Sequence, residues 1–265
     1  RKFLLNKCYR IIFNSNWSKK RFLEGMENKF INSEKLKVIF QSAKKGNLNL
    51  LEKKKKWITF VGKLNKAKGY DIFGKAVIRV LNKHREWRAK VVGDEKREKI
   101  LFKHKQIDIL GFLIHKKVID LFKKTSISIV CSRWDEPFGR TSLEAAANGC
   151  AVIISNKGGL PETVTNAIIL NKLNVKYLEN KINNLITHTD QRIKLQKLSI
   201  KNFFLTHKYI SKLIDNYRDE KLSKINNFFT NKKKETLRIL HVTNFNERLN
   251  GRLFFNTGRR INNGF

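Results

Sequence analysis

The chain has 265 residues, 41% of them hydrophobic, and a formal net charge of +35 from 57 basic and 22 acidic side chains. That length supports one large or two modest cored domains, and no apolar run is long enough to cross a bilayer as a helix. The three cysteines, Cys8, Cys131 and Cys150, lack metal-ligand spacing; their odd number on apolar segments predicts buried, reduced thiols and a reducing, cytoplasmic setting.

A charge this large fits nucleic acid, an anionic membrane face or an acidic substrate. Against a dedicated polyanion site, Lys, Asn and Ile are abundant, Pro and Gly scarce, and the lysines run evenly along the chain, as compositional drift would leave them. Nucleic acid is therefore not the expected partner. Peripheral contact with the anionic inner membrane face stays open, because charge acts whatever its origin. The stretch from Phe3 to Phe13 is short, interrupted by charge and without a cleavage site, so it is not read as a signal peptide. The sole methionine is Met26 and the last residues read as helix, so the chain is expected to be a fragment of a longer protein.

In chain order, Tyr9–Ser15 reads as a buried strand, Asn16–Glu24 as a helix capped by Ser15, and Leu36–Phe40 as a second strand. Residues 41–56 are polar and end in Lys53-Lys-Lys-Lys56, which predicts a linker. A regular alternation follows. Strands are expected at Trp57–Val61, Trp87–Val92, Ile107–Leu110, Ile127–Val130 and Ala151–Ile154; helices at Tyr70–Leu81, Glu95–His104, Lys116–Lys123 and Thr141–Asn148. This predicts an α/β fold, a Rossmann-like doubly wound parallel sheet covered on both faces, with partial α/β segments flanking it. Residues 175–218 read as two or three helices. Residues 219–236 read as a linker by composition, and 237–265 as the first strand-loop-helix of another α/β domain.

In such a sheet, ligands bind beyond the carboxyl ends of the strands, and three clusters fall there. Gly62-Lys-Leu-Asn-Lys-Ala-Lys-Gly69 follows a strand; Lys63 and Lys68 can reach a diphosphate, though a lysine-rich surface loop reads the same way. Glu136-Pro-Phe-Gly-Arg-Thr-Ser-Leu-Glu144 leads into a helix whose free amides suit a phosphate. Its two carboxylates suit sugar hydroxyls or a vicinal diol. Gly158-Gly-Leu-Pro-Glu162 allows a close backbone approach to a ligand, or else forms an ordinary turn with Glu162 placed by a helix dipole. The chain's two prolines, Pro137 and Pro161, both fall in these clusters.

Together these motifs resemble the family 4 retaining glycosyltransferases of the GT-B fold, within the glycosyl transferases group 1. The resemblance covers about residues 57–165 by motif and 1–218 by layout. It implies a C-terminal donor-binding domain at 51–204, preceded at 1–50 by the end of a truncated acceptor-side domain and a linker. A crossover helix at 205–218 follows, and a possible second GT-B start at 237–265. It implies Lys63, Lys68 and Glu136 as catalytic residues, the lysines on the diphosphate and Glu136 on the transferred sugar beside the Phe138 and Gly139 backbone. Glu144 would bind the ribose, the Thr141, Ser142 and Leu143 amides would face phosphate, Leu110 would border the base, and Gly62, Gly158 and Gly159 would line the donor. Lys63 departs from the family's arginine, which keeps the charge but loses the bidentate fork.

The implied reaction moves a hexose from a nucleotide diphosphate sugar to a glycan or lipid-linked acceptor with retention, in polysaccharide or glycolipid assembly. No metal and no cofactor beyond the donor are expected, and the rest of the N-terminal domain is an expected partner of the site. Two other readings compete. A non-catalytic basic module would bind membrane or nucleic acid in a salt-dependent way, and a GT-B nucleotide-sugar epimerase would share the fold.

Overall fold

A computed structural model describes residues 1–27 and 34–229. The segment 237–265, read above as the start of a second domain, lies outside the described residues. Arg1–Asn216 form one compact unit.

The unit begins with a short helix α1 (Lys2–Lys7), strand β1 (Ile11–Phe13), helix α2 (Asn16–Leu23) and strand β2 (Leu36–Val38). β1 and β2 pair in parallel, Ile11 opposite Leu36. Ser15 caps α2 as expected, its side chain accepting from the Ser18 amide. The polar stretch after β2 is only partly a linker, because a 3₁₀ turn spans Leu48–Lys53 and the next strand begins at Lys55.

The main sheet has six parallel strands. They are β3 (Lys55–Val61), β4 (Arg88–Val92), β5 (Ile107–Ile109), β6 (Thr125–Val130), β7 (Ala151–Ser155) and β8 (Ile168–Leu170), in the order β5-β4-β3-β6-β7-β8. The chain winds outward from β3 in one direction, then returns beside it at β6 and winds outward in the other. This is the Rossmann arrangement, and its topological switch point lies between β3 and β6. β6 and β7 are buried almost throughout, because helices cover both faces of the sheet.

On one face, α3 (Tyr70–Lys83) and α6 (Val175–Thr187) pack against Ile58, Phe60, Ala89, Val91, Ile127 and Ile129. α3 buries Phe73, Ala76, Val77, Val80 and Leu81, the spacing of a helix with one apolar stripe. On the other face, α4 (His115–Lys124) and α5 (Arg140–Ala147) pack on Val92, Val152 and Ile154. Helices α7 (Thr189–Lys201) and α8 (His207–Phe229) complete the described chain.

Two expectations are corrected. Residues 95–104 form no helix. Their side chains make tertiary contacts that helical backbone would pull away. Glu95 accepts from the Arg97 amide and from Asn65 Nδ2, and Glu98 accepts from the Lys66 amide. Phe102 meets Tyr70 edge-on and lies on Gly74, where a Cβ would approach its ring to 2.0 Å. Tertiary contact here overrides helix propensity. Second, the stretch assigned to a linker from residue 219 continues α8 as far as Phe229.

Candidate functional site

A cleft of about 230 Å³ opens at the switch point. Phe60, Val61 and Gly62 from the end of β3 and Ile129, Val130 and Ser132 from the end of β6 form its floor; Lys68, Glu136, Gly139, Arg140 and Thr141 form its rim. Two motifs 68 residues apart thus meet across one opening, and Lys68 Nζ donates to Glu136 Oε1 at 2.5 Å. The Glu136 side chain is 13% exposed and that of Lys68 32%, so the pair is partly shielded from water yet reachable.

The loop from Gly62 to Gly69 is held along its whole length. Gly93 packs on Gly62 so closely that a Cβ there would lie 1.8 Å from the Gly62 carbonyl oxygen. Asn65 Oδ1 accepts from the Lys68 amide at 3.0 Å. The amides of Arg133 and Trp134 both donate to the Ala67 carbonyl. The Arg133 guanidinium bridges Asp71 in bidentate fashion at 2.6 and 2.7 Å and reaches the Lys66 carbonyl as well. Those hydrogen bonds hold the Asp71 carboxyl below its ordinary value of 3.8. Sequence reading passed over Arg133 and Asp71, because nothing in local spacing links two residues 62 apart.

Across the cleft, Gly139 is the N-cap of α5 with φ 117° and has no side chain to cap the helix. The amides of the first turn are therefore left to a ligand. Ser142 and Leu143 are fully buried and do not line the cleft. The Ser142 hydroxyl bonds the Gly139 carbonyl and Thr163 Oγ1 instead, each at 2.7 Å. One turn in, Glu144 Oε1 accepts from Arg140 Nε at 2.6 Å and lies 2.9 Å from His115 Nε2.

Gly158 and Gly159 lie beneath the Glu136 loop and not on the cleft wall. Gly158 has φ 58°, and a Cβ there would be 2.2 Å from the Glu136 carbonyl oxygen; the Gly159 amide donates to that oxygen at 2.6 Å. The glycine pair thus brings backbone against backbone and fixes where Glu136 stands. Phe138 is buried and stacks on Phe40, ring centroids 5.9 Å apart. Lys63 is exposed and makes no ion pair among the described residues. Leu110 follows β5, its amide bonded to the Val91 carbonyl, and does not line the cleft.

Glu162 does something neither sequence reading foresaw. Its carboxylate accepts from the Asn16 amide, Asn16 Nδ2 and the Trp17 amide at 2.7–2.8 Å. With Ser15 on the Ser18 amide, the first three amides of α2 are all satisfied. Ser15 and Ser18 also donate to the Pro137 carbonyl at 2.5 and 3.0 Å, so the N-terminal segment clasps the loop that carries Glu136.

Two thiols lie under the sheet ends. Burial pushes Cys131, next to the cleft, up to about 12, which leaves it a thiol and no nucleophile. Among the described residues no group of three or more His, Cys, Asp or Glu side chains gathers as a metal site.

A doubly wound α/β domain with a cleft at its switch point, an uncapped helix N-terminus and a lysine facing it has the architecture found in nucleotide-binding domains. More closely, the family model of the glycosyl transferases group 1 matches residues 41–202. The chain belongs to that family. It is 28% identical over 162 residues to spore coat protein SA of Bacillus subtilis, covering 55% of this chain and 43% of that protein. It is 30% identical over 113 residues to the lipopolysaccharide core biosynthesis mannosyltransferase LpcC of Rhizobium leguminosarum, covering 39% of this chain and 32% of the other. Among solved structures, the C-terminal domain of a group 1 glycosyl transferase from Francisella tularensis matches with a TM-score of 0.51 and 26% identity, over 62% of this chain and 93% of that one. Anabaena HepE in complex with UDP and glucose matches with a TM-score of 0.64, at 19% identity over 82% of this chain and 65% of that one, a likeness of fold. The chain spans less than half the length of the curated relatives named here.

Proposed function

We propose that this chain holds the nucleotide diphosphate sugar of a hexosyltransferase that retains anomeric configuration, as a member of family 4. The observation that carries this reading is the Lys68–Glu136 pair at the switch point, facing the uncapped start of α5. When the bond between the sugar's anomeric carbon and the diphosphate breaks, the leaving diphosphate gains negative charge. Lys68 and the first amides of α5 are preorganised to stabilise that charge without a metal, and the exposed Lys63 would join them once the donor is bound. Glu136 takes the sugar hydroxyls, with no covalent role. Glu144 takes the ribose diol, and Leu110 lies on the side where the base would rest.

The acceptor is a growing glycan or a lipid-linked sugar, met with the help of further N-terminal structure of the same protein. The LpcC relative is named for lipopolysaccharide core biosynthesis, which favours surface polysaccharide or glycolipid assembly. No helix among the described residues is long and apolar enough to cross a membrane. The net charge of +35 supports peripheral contact with an anionic membrane face, on the cytoplasmic side in this proposal.

Calorimetric titration with UDP and UDP-glucose in the presence of EDTA tests the reading. Binding is expected, and Glu144→Gln should weaken it about tenfold, as loss of hydrogen bonds to a charged acceptor would. Absence of nucleotide-sugar binding across a panel of donors, in the longer protein as well, would sink it. Binding only to polyanions, steeply salt-dependent and unaffected by Glu136→Gln with Glu144→Gln, would favour the basic-module reading. Retention is read from the anomeric signal of the product by NMR.

A further inference from the structure

Both side chains that hold Glu144 reach the same one of its two oxygens. Arg140 Nε donates to Oε1 at 2.6 Å and His115 Nε2 lies 2.9 Å from it. Oε2 has no partner among the described residues. The Glu144 side chain is 8% exposed, whereas His115 is 54% exposed. The two partners come from different elements, His115 from the first turn of α4 and Arg140 from the first of α5.

From this geometry we infer that His115 is a positioning residue that sets the selectivity of the donor site for ribose over deoxyribose. The inference rests on the reading of Glu144 as the ribose ligand. The terminal torsion of a glutamate is broad and poorly fixed by its own rotamer preferences. Two donors converging on Oε1 from two helices fix the carboxylate plane. They leave Oε2 unengaged, able to accept from a ribose hydroxyl. Charge also matters. Glu144 stands one turn from a helix start suited to phosphate, where an uncompensated carboxylate would repel a diphosphate; Arg140 offsets it.

Arg140 lines the cleft itself, so its removal would mix loss of positioning with loss of phosphate attraction. His115 does not line the cleft, and its exposure leaves the core undisturbed by substitution. A merely structural tie between α4 and α5 would cost stability and leave nucleotide selectivity alone.

The test compares UDP with 2′-deoxy-UDP on the whole chain, for the wild type, His115→Ala and His115→Gln. The wild type should prefer UDP by about tenfold, the scale of one hydrogen bond to a charged group. His115→Ala should reduce that preference to about threefold or less, and His115→Gln, which keeps an N–H donor, should restore most of it. An unchanged ratio in His115→Ala overturns the inference, as does a wild type that binds both nucleotides equally well; in either case the donor site itself stands. A wild type that binds neither uridine nucleotide overturns this inference as well, whereas the donor-site reading falls only if the whole panel of donors fails.

Discussion

The ammonium of Lys54 lies between two helix ends, donating to the carbonyls of Phe122 at 2.9 Å and Asn148 at 2.7 Å. Both carbonyls lie at helix ends, where the dipole is negative; that of Phe122 also accepts from the Thr125 amide and the Cys150 thiol. Desolvation by burial is the largest influence on Lys54 and lowers its pKa from 10.5. Between the folded value and 10.5 the unfolded chain holds a proton that the folded chain has released. The burial cost of this charge is therefore fully felt below the folded value and fades as pH rises toward 10.5. Lys54→Met should lower stability by about 1–2 kcal/mol, since the Asn148 carbonyl loses its donor while that of Phe122 keeps others, and urea denaturation at pH 7 would show it. In sequence Lys54 is one of four consecutive lysines, and only the fold separates it from Lys55 and Lys56, which stay exposed.

At the scale of elements, the loop from Gly62 to Gly69 owes its shape to its neighbours. Gly69 starts α3 at φ 74°, and a Cβ there would lie 1.9 Å from the Cys131 carbonyl oxygen. Gly69→Ala should cost at least about 2 kcal/mol from the left-handed backbone and the clash together. It should weaken UDP binding as well, because Lys68 would move; thermal melts and titration read the two effects separately. The Asp71–Arg133 clamp holds the other side of the loop. With Asp71 held below 3.8, chiefly by hydrogen bonds from Arg133, its contribution is present above that value and lost as pH falls through the lower folded one. Asp71→Asn should lower stability at pH 7 by about 1 kcal/mol and make the decline below pH 4 shallower, as followed by denaturation at stepped pH.

For the unit as a whole, the N-terminal segment is joined to the six-stranded sheet and its helices by a few directed bonds. Glu162→Ala removes three hydrogen bonds to the start of α2 and leaves two amides there without a partner. A loss of about 2–3 kcal/mol is expected. Limited proteolysis should then cut first within residues 1–40, while residues 57–200 resist. Equal resistance of both parts in the variant would show that Phe40 on Phe138 and the serine contacts to Pro137 suffice.

The sequence by itself determined five of the six strands of the main sheet, most helices and their order, because apolar periodicity and strand-end glycines are local properties; the short edge strand β8 was not legible in it. It also placed Gly62, Lys68, Glu136, Gly139 and Thr141 at strand ends, and these five line one cleft. It misjudged residues 95–104, where charged and apolar side chains reach other elements. It passed over His115, Arg133 and Lys54, whose partners lie 29, 62 and 68 or more residues away. For Gly158 and Gly159 the sequence leaves a ligand contact and an ordinary turn both open, and the fold sets them against the Glu136 backbone. Only the tertiary structure decided such matters, since which donor meets which acceptor depends on how the sheet brings distant segments together.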